Sequence, residues 1–235
     1  ANSKRQLDRV ETIVDETTGA TYAKYVYIYT SNSATLGSVY NPILINDAES
    51  MEDYITQENN SADYNYSYYR LISNVDYSDY IYNSKTYKTK FMGYFEGNFM
   101  TVTGVNMVSS DPMASAGLFA ELGNSNNIDA VGVVMNFNFK PTTVSFANTN
   151  AVGIVAGKLD GGRIFNVNLT LPSNDQVVVV GKNIVGGVVG VATGNYQLQN
   201  VYSQYSAKAR NNGTTGGNNF NSKLSDYSKY SFAGS

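Results

Sequence analysis

Apolar and polar residues alternate over short stretches of this chain, and such alternation is typical of β-strands with one buried face. In the stretch TYAKYVYIYT, Val26 and Ile28 stand between tyrosines, so we predict a strand over Tyr22–Thr30. The stretch YYRLISNVD predicts a second strand over Tyr68–Asp76. Both predicted strands have two faces of different composition.

Helical spacing occurs first in the polar segment 1–20, where Leu7, Val10, Ile13 and Val14 recur at intervals of three, three and one. This spacing is compatible with a helix that the following Thr-Thr-Gly run would end.

A second helix is predicted from about Met51 to Glu58, because Met51, Tyr54 and Ile55 share one helical face. Ser50 followed by Asp53 resembles a capping box at its start. This short helix precedes the repetitive part of the chain, and we expect it to cover the first repeat.

From about residue 91 the chain repeats itself. The segments GLFAE, GIVAG and GGVVG begin at Gly117, Gly153 and Gly186, which are almost evenly spaced. A turn and then two apolar residues three positions apart follow each glycine. These pairs are Ile128 with Val131, Ile164 with Val167, and Leu198 with Val201.

Further apolar pieces, Val144–Phe146 and Val177–Val180, close the first two repeats. Each repeat therefore reads as strand, turn, strand, turn, strand in about 34 residues. Strands this short cannot bury a face alone, so the pattern predicts an all-β fold in which repeats stack as a β-helix, a solenoid. The residues predicted to point into its core are Leu118, Val131, Val155, Val167, Val188 and Val201.

Four regions follow from these patterns. Residues 1–48 form an N-terminal strand or linker region, and residues 49–90 hold the capping helix and tyrosine-rich strands. Residues 91–207 form the β-helix. Residues 208–235, which contain the run NNGTTGGNN, are predicted to be a flexible tail or linker.

The repeats resemble the GLUG repeat of bacterial surface adhesins and of the non-catalytic part of IgA-type peptidases. The similarity covers about Phe91–Ser206, and the block FMGYFEGN at 91–98 resembles the F-x-G-x-F-[DE]-G-N start of that family. We place a degenerate first repeat at 91–107, with Gly93 as its glycine and Val102 with Val105 as its apolar pair. Glu121 and Gly187 depart from the family pattern. The resemblance implies an exported, right-handed β-helix used for display or adhesion, without catalytic residues.

Composition excludes several kinds of chemistry. The 235 residues include no His, Cys or Trp, so zinc sites built on His or Cys and triads that use a His base cannot form. Only 15% of residues are charged and the net charge is −3, which gives no electrostatic footprint for nucleic acid. Low charge with abundant Asn, Ser, Thr, Gly and Tyr favours an extracellular protein.

The tyrosines are unevenly distributed: fifteen of the 20 lie between Tyr22 and Tyr94. Tyrosine suits exposed sheet faces, where its ring packs while its hydroxyl stays hydrated. The simpler interpretation is such decoration of sheets, and the functional one is a tyrosine-lined groove for sugars.

One turn, KLDGGR, combines Lys158, Asp160 and Arg163, and Asp129 lies one repeat earlier. Glycoside hydrolysis needs two carboxyl groups, so this turn alone cannot supply both acid and base. In the repeat alignment, Asn124 and Thr193 occupy the position of Asp160. We therefore interpret the segment as a solvated turn, in which Asp160→Ala would leave stability nearly unchanged.

Two acidic runs and four Asn-x-Ser/Thr triplets complete the candidate sites. The runs lack the alternating pattern of an EF-hand loop, and charge near a helix start explains the first more simply. The residues concerned are Asp47, Glu49, Glu52 and Asp53 in one run, Asp76 and Asp79 in the other, and Asn59, Asn65, Asn168 and Asn212 in the triplets.

We predict no catalytic, cofactor or metal site, no nucleic-acid partner and no membrane span in this chain. The expected function is a non-catalytic structural or adhesive module at a bacterial cell surface, binding host or matrix glycans or proteins, or neighbouring copies. The alternatives are an accessory β-helix region of a secreted peptidase or polysaccharide-acting enzyme, and a subunit of a surface filament.

Overall fold

A computed structural model describes residues 4–14, 17–30, 36–57, 64–80, 84–173 and 177–210. The described part is mostly β-strand, with one α-helix, α1 (Ala48–Gln57), and a short 3₁₀ turn at Thr86–Lys88. The strands are β1 Lys4–Val14, β2 Thr21–Thr30, β3 Ile43–Ile45, β4 Tyr64–Asn65, β5 Tyr68–Leu71, β6 Val75–Asp76, β7 Lys90–Phe91, β8 Tyr94–Glu96, β9 Thr101–Thr103, β10 Asn106–Val108, β11 Ser115–Ala116, β12 Phe119–Leu122, β13 Val133–Lys140, β14 Thr143–Ser145, β15 Ala151–Val152, β16 Ala156–Asp160, β17 Arg163–Leu169, β18 Val178–Gly181, β19 Ile184–Val185, β20 Val189–Thr193, β21 Gln197–Ser203 and β22 Ser206–Ala209.

The N-terminal segment forms an antiparallel hairpin in which β1 pairs with β2. The predicted strand over 22–30 is confirmed, whereas the helix suggested within residues 1–20 is wrong. Val10 pairs with Tyr25 and Ile13 with Tyr22. Spacings of three residues are weak helical evidence when a long β-forming segment nearby can supply backbone hydrogen bonds.

All other strand pairings in the described residues are parallel. The largest sheet has the order β21-β17-β13-β8-β5-β3, with β6 and β9 joined at its side. Smaller sheets have the orders β20-β16-β12-β7-β4, β10-β14-β18-β22 and β11-β15-β19. In the repeats that begin at Gly117, Gly153 and Gly186, equivalent strands pair with one another, as β12, β16 and β20 do. The all-β class is confirmed, and the second predicted strand is present as β5 and β6.

The three glycines that define the repeats lie beside one another. Ala116, Val152 and Val185, the residues just before them, pair in one row across β11, β15 and β19. A Cβ at Gly117 would lie 2.5 Å from the Gly153 carbonyl oxygen, and one at Gly153 would overlap backbone atoms of Ala156 and Val189. Glycine is required here because neighbouring backbones approach too closely for a side chain.

The apolar pair predicted for the first repeat, Ile128 with Val131, is wrong. Ile164 and Val167 pair instead with Val134 and Phe137 of β13. Ile128 is 98% exposed, and Val131 is only partly buried. The first repeat is longer than the second between its glycine and β13, because an insertion forms a surface loop, here called the 123–132 loop.

The degenerate repeat at 91–107 and the repeat that begins at Gly117 also differ in register from the predicted pattern. Val102 pairs with Phe139, and Val105 lies outside the strands, so the degenerate apolar pair at 102 and 105 is wrong. Glu121 pairs with Lys158, which places Ala120 rather than Glu121 beside Gly157. The apparent departure at Glu121 arises because this repeat is shorter just before β12.

Five of the six residues predicted to point inward are buried; Val131 is the exception. Two parts of the interior can be distinguished. The aromatic core consists of Phe91, Phe95, Phe119, Phe137 and Phe139, and the aliphatic core consists of Val152, Val155, Ile164, Val167, Val185 and Val188, all 1% exposed or less.

Helix α1 is confirmed but begins earlier than predicted, at Ala48. Its capping box is formed by Asp47 and Ser50, not by Ser50 and Asp53: the Ser50 N–H donates to Asp47 Oδ1 at 2.7 Å. In return, the Asp47 N–H donates to Ser50 Oγ at 3.2 Å. The helix buries Met51 and Ile55 completely.

Strand β22 continues to Ala209, past the predicted end of the β-helix at 207, and pairs with β18. Residues 211–235, most of the predicted tail, lie outside the described residues. Within the described ranges, no helix has the length and hydrophobicity needed to cross a membrane.

Candidate functional site: a tyrosine groove and the Asp160 cluster

A groove of about 160 Å³ opens on the outer face of the largest sheet, at β5 and β8. We call it the tyrosine groove. Its walls are formed by the loop 36–42 on one side and by outward-pointing side chains of neighbouring parallel strands on the other. The residues that matter for its chemistry are Tyr40, Pro42, Tyr68, Arg70, Tyr94 and Glu96.

Tyr68 and Tyr94 form one wall of the tyrosine groove. They occupy the same register position on β5 and β8, and their rings stack at 4.7 Å with an interplanar angle of 11°. The strand spacing of about 4.8 Å sets this stacking distance. Partial burial, followed by the neighbouring Tyr94, raises the pKa of the Tyr68 hydroxyl.

The loop 36–42 is fixed to the sheet by main-chain hydrogen bonds. The Gly37 N–H donates to the Asn41 carbonyl at 2.7 Å, and the Tyr68 N–H donates to the Gly37 carbonyl at 2.8 Å. Gly37 has a φ of 85°, which glycine adopts without strain. This tight turn holds Tyr40 at its tip, with 71% of the residue exposed.

Arg70 and Glu96 lie side by side in register and supply the charge in the groove. Glu96 Oε1 accepts hydrogen bonds from the Asn98 N–H at 2.7 Å and from Asn136 Nδ2 at 3.1 Å. In the residues that the structure describes, no carboxylate lies within ion-pair distance of the Arg70 guanidinium. The Glu96 carboxylate in the groove therefore already accepts hydrogen bonds from the protein, whereas the Arg70 guanidinium can donate hydrogen bonds to a ligand.

The Asp160 cluster is not the solvated turn that the sequence suggested. Asp160 ends β16 and is 7% exposed; Thr193 Oγ1 donates to its Oδ1 at 3.0 Å, and Lys158 Nζ lies 3.3 Å from its Oδ2. Burial acts to raise the pKa of the Asp160 carboxyl, but hydrogen bonds from Ser125 and Thr193 and the Lys158 charge outweigh it and lower the pKa. Asp160 joins two strands and the 123–132 loop, which makes it a structural carboxylate.

The other members of the predicted cluster point elsewhere. Arg163 is exposed at the start of β17 and lines a shallow depression of about 300 Å³ beneath the 123–132 loop. Asp129 lies in that loop and is exposed, with its N–H bonded to Asn127 Oδ1. The predicted pairing of Asp160 with Thr193 is confirmed, and the residue opposite it in the first repeat is Gly123 rather than Asn124.

The first acidic run divides between a helix cap and a buried site. Glu52 is 3% exposed, and its carboxylate accepts hydrogen bonds from the Tyr77 hydroxyl at 2.9 Å, the Ser84 hydroxyl at 2.6 Å and the Lys85 N–H at 2.9 Å. Burial, and then the charge of Glu52, raise the pKa of the Tyr77 hydroxyl well above its ordinary value. This network ties α1 to the following segment.

In the second run, Asp76 Oδ1 accepts the Ser78 N–H at 2.9 Å, and this hydrogen bond is the main reason that the Asp76 pKa is lowered. Within the described part of the chain, no group of three or more Asp and Glu residues is placed to hold a metal ion.

Of the four Asn-x-Ser/Thr triplets, two can be placed. Asn65 is 1% exposed and donates its amide to the Ile55 carbonyl and the Tyr69 hydroxyl. Asn168 is exposed in β17 and donates to Asn138 Oδ1 at 3.2 Å. Asn59 and Asn212 lie outside the described residues.

An asparagine ladder that was not predicted connects β13, β17 and β21. Asn136, Asn166 and Asn200 all have φ near 53°, and the amide of each later residue donates to the side-chain carbonyl of the one before it, at 2.9 Å in both pairs. The ladder ends on Glu96, which accepts from Asn136. The signal was available: the repeated N-F-N at 136–138 and N-V-N at 166–168.

No family model matches this chain, and no curated protein matches it. Among solved structures, the chain is similar to the crystal structure of a putative immunoglobulin A1 protease from Bacteroides ovatus. The two share 12% sequence identity, the TM-score is 0.36, and the alignment covers 76% of this chain and 80% of that chain. So distant a likeness assigns neither fold family nor function, and the GLUG resemblance rests on the residues quoted for it.

Proposed function

We propose that this chain is a non-catalytic structural or adhesive module of a bacterial cell-surface protein and that its repeats form a right-handed β-helix of the GLUG type. Parallel pairing of equivalent strands, continued from β12 through β16 to β20, supports the solenoid. In this arrangement each repeat buries its apolar face against its neighbours, so the stack presents a long outer surface for binding.

The roles of the residues in the FMGYFEGN block support the GLUG assignment. Phe91 and Phe95 are fully buried, and a Cβ would overlap backbone atoms of Ser67 if placed at Gly93 and of Asn136 if placed at Gly97. Asn98 has a φ of 52°, and its N–H is bonded to Glu96. Each defining position of the motif therefore has a structural role, as expected if the motif starts a stack of repeats.

The observation that carries the non-catalytic assignment is the sequestration of Asp160. Its carboxylate is held by Lys158, Thr193 and Ser125 and is 7% exposed, so it cannot approach a polymeric substrate as acid, base or nucleophile. The nearest equivalents on the neighbouring strands are Gly123 and Thr193. Neither of these residues carries a carboxyl group, so the stacked pair of carboxyl groups that glycoside hydrolysis would require is missing from this register row.

The proposed location is the outside of the cell, where host or matrix glycans and proteins are the available partners. The outer face of the largest sheet supports this proposal, because it presents tyrosine, asparagine and glutamine side chains suited to polar, hydrated contacts. Antibody labelling of intact cells against lysed cells of the source bacterium would test the location. If protease added to intact cells left this chain as intact as cytosolic marker proteins, the proposed location would be wrong.

The function is tested by incubating the full chain with acidic and neutral polysaccharides, and separately with immobilised glycans and matrix proteins. We expect saturable binding to at least one immobilised partner and no release of reducing sugar or unsaturated uronide. Release of such products by the parent but not by Asp160→Ala would replace the adhesive proposal with an enzymatic one.

A further inference from the structure

We propose that the tyrosine groove is a carbohydrate-binding site, in which Tyr40 and the Tyr68–Tyr94 pair contact the C–H face of a pyranose ring and Arg70 donates hydrogen bonds to its oxygen atoms. This inference rests on the proposed function and deepens it, since it assigns a ligand class and a location on the outer face.

Tyr40 is placed where packing does not require it. Its residue is 71% exposed and the adjacent Val39 is 60% exposed, although the loop that carries them is held rigidly by the hydrogen bonds of Gly37 and Asn41. An exposed aromatic ring on a preorganised loop contributes binding area at little entropic cost, because few torsions are left to fix. Tyr40 faces the same groove as the stacked pair.

The stacked pair is suited to a flat ligand with both apolar and polar groups. Tyr68 and Tyr94 stack across two strands and line the groove, and a tyrosine hydroxyl can both donate and accept hydrogen bonds. A pyranose ring offers C–H groups on its faces and hydroxyl groups at its rim. Aromatic rings with polar tips match that distribution.

Arg70 supplies the polar selectivity. The guanidinium group carries five N–H donors in a planar fork, and it is half-buried on β5 beside the pair of tyrosines. Within the described residues Arg70 forms no ion pair with Glu96, whose carboxylate accepts hydrogen bonds from Asn98 and Asn136. A bound sugar would present vicinal hydroxyl oxygens, or a carboxylate in an acidic sugar, to this fork.

The size and continuation of the groove favour one ring of a longer chain. Its volume of about 160 Å³ corresponds to roughly five water molecules at ~30 Å³ each. Beyond Glu96 the same register row continues through Met135 and Phe165, both partly exposed. An oligosaccharide could therefore place one ring in the groove and extend over these side chains.

Other ligand classes fit less well. An extended peptide that adds a strand needs an unpaired strand edge, but β5 is paired with β3 and β8, and β8 is paired with β5 and β13. A nucleic acid needs several cations, whereas Arg70 is the single basic residue among the described residues that line the groove. A divalent cation needs several oxygen ligands, and within the described ranges Glu96 is the single carboxylate that lines the groove.

The test uses the full 235-residue chain and a glycan array of neutral, uronate-containing and sialylated oligosaccharides, followed by calorimetric titration of the best-bound oligosaccharide. Tyr40→Ala should weaken binding roughly ten-fold or more, as for an aromatic residue central to a binding surface. Arg70→Ala should weaken it by a similar factor, through the loss of charge-assisted hydrogen bonds. Tyr202→Ala, at another exposed tyrosine on β21, is the matched control and should bind as the parent does.

Melting temperatures of all three variants accompany the titrations, and that of Tyr40→Ala should equal the parent's because its side chain is largely exposed. If the parent binds an oligosaccharide and Tyr40→Ala and Arg70→Ala bind it equally well, the groove is not the site, while the adhesive function stands. If the parent binds no oligosaccharide but does bind a matrix protein, the carbohydrate inference is wrong and the adhesive function again stands. Failure to bind any partner would overturn both.

Discussion

Buried rings dominate the first repeats, whereas branched aliphatic side chains dominate the later ones. In the aromatic core, Phe91 stacks on Phe119 at 4.4 Å, and Phe95 packs edge-on against Phe119 and Phe137 at 5.9 and 5.1 Å. In the aliphatic core, valine stands beside valine, as at Val152 and Val185. Tyr205 is the buried ring among the later repeats, and its hydroxyl lies within hydrogen-bond distance of the carbonyls of Pro141 and Thr170.

This difference shows that one backbone arrangement accepts two packing solutions. Rows of valine can be extended by adding identical repeats, because each repeat has the same apolar surface on its two sides. Interlocking rings depend on alternating stacked and edge-on contacts, so each ring has a specific partner. The polar contacts show the same contrast between specific and repeated interactions. Glu52 accepts hydrogen bonds from three different donors near α1, whereas the asparagine ladder repeats one type of hydrogen bond.

The largest expected effect comes from placing a charge in the aliphatic core. Val155→Asp should lower the free energy of unfolding by several kcal/mol, because an unpaired buried carboxylate loses its hydration. Denaturant titration of the variant measures this loss. Val178→Asp is the matched control at a 39% exposed position of β18 and should cost less than about 0.5 kcal/mol. Equal stability of Val155→Asp and the parent would refute the assignment of the inner face.

A direct comparison of a buried ring with a buried valine uses a single register row. Phe119 and Val189 both pair with Ala156, from its two sides. Phe119→Ala should cost about 3–5 kcal/mol, the range for a buried phenylalanine. Val189→Ala should cost about 2 kcal/mol, because it removes two carbon groups at about 0.8 kcal/mol each and leaves a small cavity. If chemical denaturation gave equal losses of unfolding free energy for the two variants, the buried ring would contribute no more to stability than the buried valine.

Asp160 makes the later repeats sensitive to acid. Its pKa is lowered from the ordinary value of 3.8, so its contribution to stability is present above that pH and is lost as the pH falls below it. Asp160→Asn should reduce stability at pH 7 by about 1.5–3 kcal/mol, the range for hydrogen bonds to charged groups. The acid side of its stability–pH curve should be flatter than the parent's.

The control for Asp160→Asn is Asp129→Asn in the exposed 123–132 loop, which should stay within about 0.5 kcal/mol of the parent at pH 7. A parallel shift of the whole stability–pH curve in Asp160→Asn, with an unchanged acid limb, would show that the Asp160 charge is not what the fold uses.

The smallest effect is expected in the asparagine ladder. Asn166→Ala should cost about 1–2 kcal/mol, because alanine is strained at a φ of 53° and both ladder bonds of Asn166 are lost. Asn166→Gly removes the same bonds without the backbone strain. If thermal melts showed the glycine variant to be no more stable than the alanine variant, the positive φ would not explain why asparagine occurs at position 166.

Short-range chemistry and repetition made much of the fold predictable. Gly117 and Gly153 recur because neighbouring backbones approach too closely there for a side chain. The spacing of Gly117, Gly153 and Gly186, with the turns and apolar pairs that follow them, predicted that equivalent strands stack. The apolar face of α1 was visible in Met51 and Ile55. The position of its cap was not, because Ser50 can serve either as the first or as the last residue of a capping box.

Features set by long-range pairing were the ones missed. The 123–132 loop displaced Ile128 from the core, and only the pairing of Val134 with Ile164 reveals that insertion. Asp160 looked like an exposed turn residue because Thr193 and Ser125, which surround it, belong to other repeats. The tyrosine groove depends likewise on Tyr40 meeting a sheet whose strands are distant in the chain.

The varying length of the repeats has a consequence for protein engineering. Ala156 pairs with Val189, Arg163 with Gln197, and Val178 with Ser206, and the sequence separation is clearly shorter in the last pair than in the first two. The hydrogen-bond ladder fixes the thickness of each layer, and the corners absorb the difference in chain length. A foreign peptide inserted at Ile128 would therefore extend from the surface loop, and its length would not change the pairing of the strands.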